Sequence, residues 1–87
     1  MVVHLSDVKR AFDELIAGAR SREEISDWAR SLRVENDKGQ LLFEPPAMRD
    51  RIWRSITYLE GVDIKDSPTT YLHVPEDFVA FRSRLGV

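Results

Sequence analysis

Ser21-Arg22-Glu23-Glu24-Ile25-Ser26-Asp27-Trp28-Ala29-Arg30-Ser31-Leu32 is the stretch whose reading decides the fold. Serine followed three residues later by glutamate is a capping box: hydroxyl and carboxylate each satisfy an amide that the first helical turn leaves open. Ile25, Trp28, Ala29 and Leu32 then follow at offsets 0, 3, 4 and 7, one face of a helix. Val34 ends that stripe. Asn36-Asp37-Lys38-Gly39 reads as a turn, with Gly39 suited to positive φ.

Toward the N-terminus, Val8, Phe12, Leu15, Ile16 and Ala19 repeat the pattern at offsets 0, 4, 7, 8 and 11. Ser6 is positioned as the N-cap of this helix, and Asp7 favours its positive end. So little chain separates it from Ser21 that the two helices should form a tight αα corner.

Toward the C-terminus, Gln40-Leu41-Leu42-Phe43 is short and reads as extended. Pro45-Pro46 blocks helix before it and presets the first turn of the next. Met48, Ile52, Trp53, Ile56 and Leu59 form a third stripe. Gly61 stands where a C′ glycine belongs, and Val62 can supply the apolar contact that accompanies one. The loop from Val62 to Thr70 is polar. Thr69-Thr70-Tyr71-Leu72 is β-prone and can pair with Gln40–Phe43, giving at most a two-stranded ribbon. Val74-Pro75-Glu76-Asp77 opens a fourth helix, whose stripe is Phe78, Phe81 and Leu85 and whose end is Gly86.

The expected fold is therefore all-α: one domain over residues 1–87, of four short helices with a minimal two-stranded ribbon. Phe12, Leu15, Ile25, Trp28, Leu32, Ile52, Trp53, Ile56, Phe78 and Phe81 should form the core. A chain of 87 residues, 43% apolar and 32% charged, has room for that one core. The first residues carry no basic n-region, and no window approaches the roughly 18 apolar residues of a membrane span. A cytoplasmic location follows as the expectation.

Fifteen acidic against thirteen basic residues leave a net charge of −2, without the basic excess of a dedicated nucleic-acid binder. The absence of cysteine excludes disulfides, thiolate zinc sites and cysteine nucleophiles. His73, near Asp63, Asp66, Glu76 and Asp77, invites a metal or acid–base role, but the spacing matches no metal motif. Local hydrogen bonding beside the N-cap of the fourth helix is the favoured reading. Ser6 and Ser21 are committed to capping, and the isolated glycines Gly18, Gly39, Gly61 and Gly86 form no phosphate loop. The expectation is a non-enzyme without cofactor or metal.

Ile25-Ser26-Asp27-Trp28 also resembles the start of a DNA-recognition helix. The register fails, because with Gly18 as the turn glycine Glu14 and Glu24 occupy the small and apolar positions. Glu23, Glu24 and Asp27 would face phosphate, with only Arg30 and Arg33 to help. Two surface features remain. One is an acidic cluster, Glu60, Asp63, Asp66, Glu76 and Asp77, with Tyr71 as an amphipathic anchor beside it. The other is basic: Arg49, Arg51 and Arg54 on the outside of the third helix, opposed by Asp50.

Residues 21–29, Ile52-Trp53, Tyr58-Leu59-Glu60-Gly61-Val62-Asp63-Ile64, Tyr71-Leu72-His73 and Glu76-Asp77-Phe78 together resemble a group of small bacterial immunity proteins. These are encoded beside polymorphic and contact-dependent growth inhibition toxins. The resemblance implies a cytoplasmic protein that binds and blocks one cognate toxin domain, in many cases a nuclease with a basic cleft. The acidic cluster, Glu60, Asp63, Asp66, Tyr71, Glu76 and Asp77, would then be the partner-binding surface, matched to that cleft by charge. Nucleic acid is not expected as a partner. The alternative is a small DNA-binding or regulatory domain built on the first two helices.

Overall fold

The computed structural model of the chain describes residues 1–63, 65–67, 70, 71 and 75–86, with the backbone alone for 65–67, 70, 71 and 75. In chain order the elements are β1 (Val2–His4), α1 (Leu5–Ala17), α2 (Arg22–Asp37), β2 (Leu42–Glu44), a 3-10 turn (Pro46–Met48), α3 (Arg49–Glu60), β3 (Lys65–Ser67), β4 (Thr70–Tyr71) and α4 (Pro75–Leu85). Four helices with minimal strands are what the sequence leads one to expect.

The capping box at α2 forms as read. Glu24 N–H donates to Ser21 Oγ at 3.1 Å, and Ser21 N–H donates to Glu24 Oε1 at 3.2 Å. The start of α1 differs from the expectation. His4, not Ser6, is the N-cap, and Ser6 lies inside the helix. Asp7 accepts the His4 amide at 2.8 Å, so the acid is the capping side chain. The helix begins early because Val2–His4 is drawn into a strand that ends where the first turn starts. Gly18 closes α1 in the left-handed region at φ 73°, leaving Ala19 outside the helix and exposed. Gly61, by contrast, has φ −99° and is not a left-handed cap, although Val62 is fully buried beside it.

The strand pairing also falls differently. β2 runs parallel to β1, in the register Val2 with Leu42, Val3 with Phe43 and His4 with Glu44. It does not pair with the segment around Thr69–Leu72, of which Thr69 and Leu72 lie outside the described residues. β4 instead pairs antiparallel with β3, Lys65 opposite Tyr71 and Ser67 opposite Thr70. The Met1 ammonium donates to the Gln40 carbonyl at 3.0 Å, and Leu42 N–H donates to the Met1 carbonyl at 2.9 Å. Alternation sends Val3 and Phe43 inward and leaves Val2, His4, Leu42 and Glu44 exposed. The Glu44–Pro45 peptide is cis.

α3 packs most extensively on α2, with α1 and α4 against each other and against α3. Phe12, Leu15, Ile25, Leu32, Ile52, Ile56 and Phe78 are buried as expected, whereas Trp28, Trp53 and Phe81 are half-buried at the edge of that core. The edge position suits large rings, which are seldom fully buried and here cover the core rather than fill it. Val3, Val8, Ala11, Ala29, Leu41, Phe43, Leu59 and Val62 complete the interior. Two buried hydroxyls are satisfied by backbone: Ser26 Oγ donates to the Glu60 carbonyl at 2.6 Å, and Ser55 Oγ to the Arg51 carbonyl at 2.8 Å. Among the described residues, no helix is long and apolar enough to cross a membrane.

Candidate functional site

The fold sorts the cations into two groups. Arg30 and Arg33 of α2 are engaged by neighbouring acids. Arg33 Nε donates to both oxygens of Glu60, at 2.8 and 2.9 Å, and its Nη1 reaches Asp37 at 3.3 Å. That hydrogen-bonded carboxylate holds the Arg33 guanidinium above its ordinary range. Arg30 meets Asp27 at 3.3 Å and Glu60 at 3.9 Å. Elsewhere Arg20 pairs with Glu14, Lys38 with Glu35 and Arg82 with Asp13. Arg22 lies over the Phe78 ring, 4.9 Å from its centroid, and donates to the Val62 carbonyl at 3.5 Å.

The second group has no carboxylate within ion-pair distance among the described residues, and part of it converges. α3 and α4 run antiparallel, Arg51 lying beside Gly86 and Tyr58 beside Phe81. A Cβ placed on Gly86 would sit 3.4 Å from Arg51 Nη1. Between the helices runs an open cleft of about 540 Å³ lined by Arg54, Thr57, Tyr58, Phe81, Arg84 and Leu85. Its floor is aromatic: Tyr58 and Phe81 stack with centroids 3.8 Å apart and planes 9° from parallel. Phe12 backs both rings, at 6.1 and 6.3 Å. Arg84 leans over Phe81, 5.4 Å from the centroid. Burial pushes the Tyr58 hydroxyl up from its ordinary range. Asp77 adds to that, against the opposing pull of Arg22 and Arg84. Arg54 and Arg84 thus make the cleft cationic, with Arg51 close by at Gly86.

The basic trio expected on the third helix therefore divides. Arg51 and Arg54 face the α4 side, whereas Arg49 lies over Phe43 on the strand side, 5.5 Å from the ring centroid. A second open cleft there, of about 560 Å³, includes Asn36, Leu42, Phe43 and Arg49. Arg84 was not singled out by sequence reading. Its partnership with Arg54 arises only when α4 folds back along α3.

Of the expected acidic cluster, Glu60 is engaged elsewhere. Glu60 turns toward Arg33 and Arg30 on α2. Asp63 is half-buried in the turn after α3, and Glu76 and Asp77 are exposed on the first turn of α4. The side chains of Asp66 and Tyr71 and the whole of His73 lie outside the described residues. Among the described residues, no group of three or more His, Asp or Glu stands close enough to hold a metal ion.

The sequence model of the family described as "YxzC DNA-binding protein" matches residues 3–84. The chain belongs to the YxzC family. It is 38% identical, over 63 residues, to the uncharacterized protein YxzC of Bacillus subtilis (strain 168), a stretch covering 72% of this chain and 46% of that relative. The chain thus spans about half the length of the curated relative it matches. No solved structure matches it.

YxzC membership overturns the immunity-protein resemblance, and with it the toxin partner and the toxin-inhibitor and growth-inhibition reading. The residues that carried the resemblance lie within the matched stretch and are mostly helix caps and core positions. Such residues report a small helical fold rather than a partner. The expectation that nucleic acid is not a partner falls with it, since the family's own description names DNA. That expectation rested on net charge, which sums paired and unpaired cations alike.

Proposed function

We propose that this chain is a small DNA-binding domain that meets its ligand with the α3–α4 face. The observation that carries the reading is the pair Arg54 and Arg84 lining one open cleft, with Arg51 next to Gly86, all three free of carboxylate partners among the described residues. The description of the YxzC family supports it. Guanidinium groups bind phosphate through bidentate, charge-assisted hydrogen bonds, and those already held by carboxylates have less to offer. On that ground α2 is the poorer candidate: Arg30 and Arg33 are engaged, and Glu23, Glu24 and Asp27 stand exposed beside them. The interface moves from the first two helices to the last two. The reading requires no catalytic group and no cofactor, and it places the domain in the cytoplasm, where bacterial DNA lies.

Fluorescence anisotropy of a labelled DNA duplex, titrated across a salt series, tests this. Three neutralised phosphates give a slope of log K against log salt of about −2.7. No binding at low salt defeats the proposal.

A further inference from the structure

Resting on the DNA-binding reading, we infer that the α3–α4 cleft takes the phosphate backbone of double-stranded DNA and not unstacked bases. A site for single strands needs free aromatic faces on which bases stack. Here those faces are spent within the protein. Tyr58 and Phe81 cover each other at 3.8 Å, Phe12 backs them, and Arg84 lies over Phe81. Splaying the pair to admit a base would uncover the Phe12 side of the core. What the cleft does present is guanidinium: Arg54 on α3 with Arg84 opposite on α4, and Arg51, one turn before Arg54, next to Gly86. These reach a continuous strand of phosphates without entering a base stack.

Three arginines also make a short footprint, enough for two or three phosphates. Such a footprint suits a rigid duplex crossing the cleft rather than a flexible strand threading its length.

The test compares a labelled duplex of about 20 base pairs with its labelled single strand at low salt, for the wild-type chain and the exposed-residue variants Arg54→Gln and Arg84→Gln. Circular dichroism verifies that each variant is folded. Duplex binding at least about tenfold tighter than single-strand binding, with each variant weakening it about threefold to tenfold, supports the inference. Single-strand binding equal to or tighter than duplex binding overturns the inference while leaving DNA binding in place. Duplex preference that both variants leave unchanged overturns the assignment to this cleft. Failure to bind either form overturns the DNA-binding reading itself.

Discussion

Arg33 Nε donates to both carboxylate oxygens of Glu60, at 2.8 and 2.9 Å, and so joins the last turn of α3 to the C-terminal half of α2. Ser26 reinforces the joint by donating to the Glu60 carbonyl at 2.6 Å. One relationship thereby removes an acid from the loop surface and a cation from α2. The Arg33 side chain is 39% exposed, so the pair is screened and its contribution modest. Glu60→Gln should lower stability by no more than about 1 kcal/mol, read as a shift of the urea midpoint with the slope unchanged. Ser26→Ala leaves a carbonyl without its donor in a buried setting and should cost more, about 1–3 kcal/mol in the same assay.

Removing the unpaired arginines should act on salt dependence before it acts on fold. Arg51→Gln and Arg54→Gln should each reduce the salt slope of duplex binding by about 0.9, the share of one phosphate contact. Arg30→Gln, on the ion-paired α2 surface, should leave the slope unchanged. Anisotropy titrations at several salt concentrations distinguish the two surfaces.

Tyr58 makes stability fall at alkaline pH. Its hydroxyl titrates above the ordinary value of 10.0 in the folded protein, because burial disfavours the phenolate and Asp77 repels it. Below that ordinary value both folded and unfolded chains keep the proton. Above it the unfolded chain ionises first, so the contribution declines as pH rises through the folded value. Tyr58→Phe should remove this part of the decline, visible as a shallower loss of urea midpoint above about pH 10 than in the wild type.

Phe12 is fully buried behind the Tyr58–Phe81 stack. Phe12→Ala should cost about 3–5 kcal/mol through lost burial and the cavity left behind. In a domain this small that is a large share of total stability. Near-ultraviolet circular dichroism should lose aromatic signal along with the drop in thermal midpoint.

Gly18 ends α1 at φ 73° with open space where a Cβ would point. Gly18→Ala should therefore cost about 1–2 kcal/mol from backbone conformation alone, with no steric contribution. A similar loss of midpoint on Gly39→Ala, at φ 72°, would confirm that conformation rather than packing is responsible.

Legibility in the sequence followed the range of the interactions. The Ser21–Glu24 box, the stripes of Ile25 to Leu32 and Ile52 to Leu59, and the proline start of α4 all depend on residues within a turn or two of each other. Their spacing alone therefore determined four helices and most of the core. Ser6 misled because Asp7 satisfies the His4 amide, a choice made only once β1 sets where the helix begins. The pairing of Val2–His4 with Leu42–Glu44 could not be read locally, since two helices intervene and either partner strand is only three residues long. Function was less legible still. Thirteen cations and fifteen acids sum to −2 in any arrangement. Tertiary structure alone decided that Arg30 and Arg33 meet acids while Arg51, Arg54 and Arg84 meet none among the described residues. Charge sums over the chain, but binding depends on which charges the fold leaves unpaired on one face.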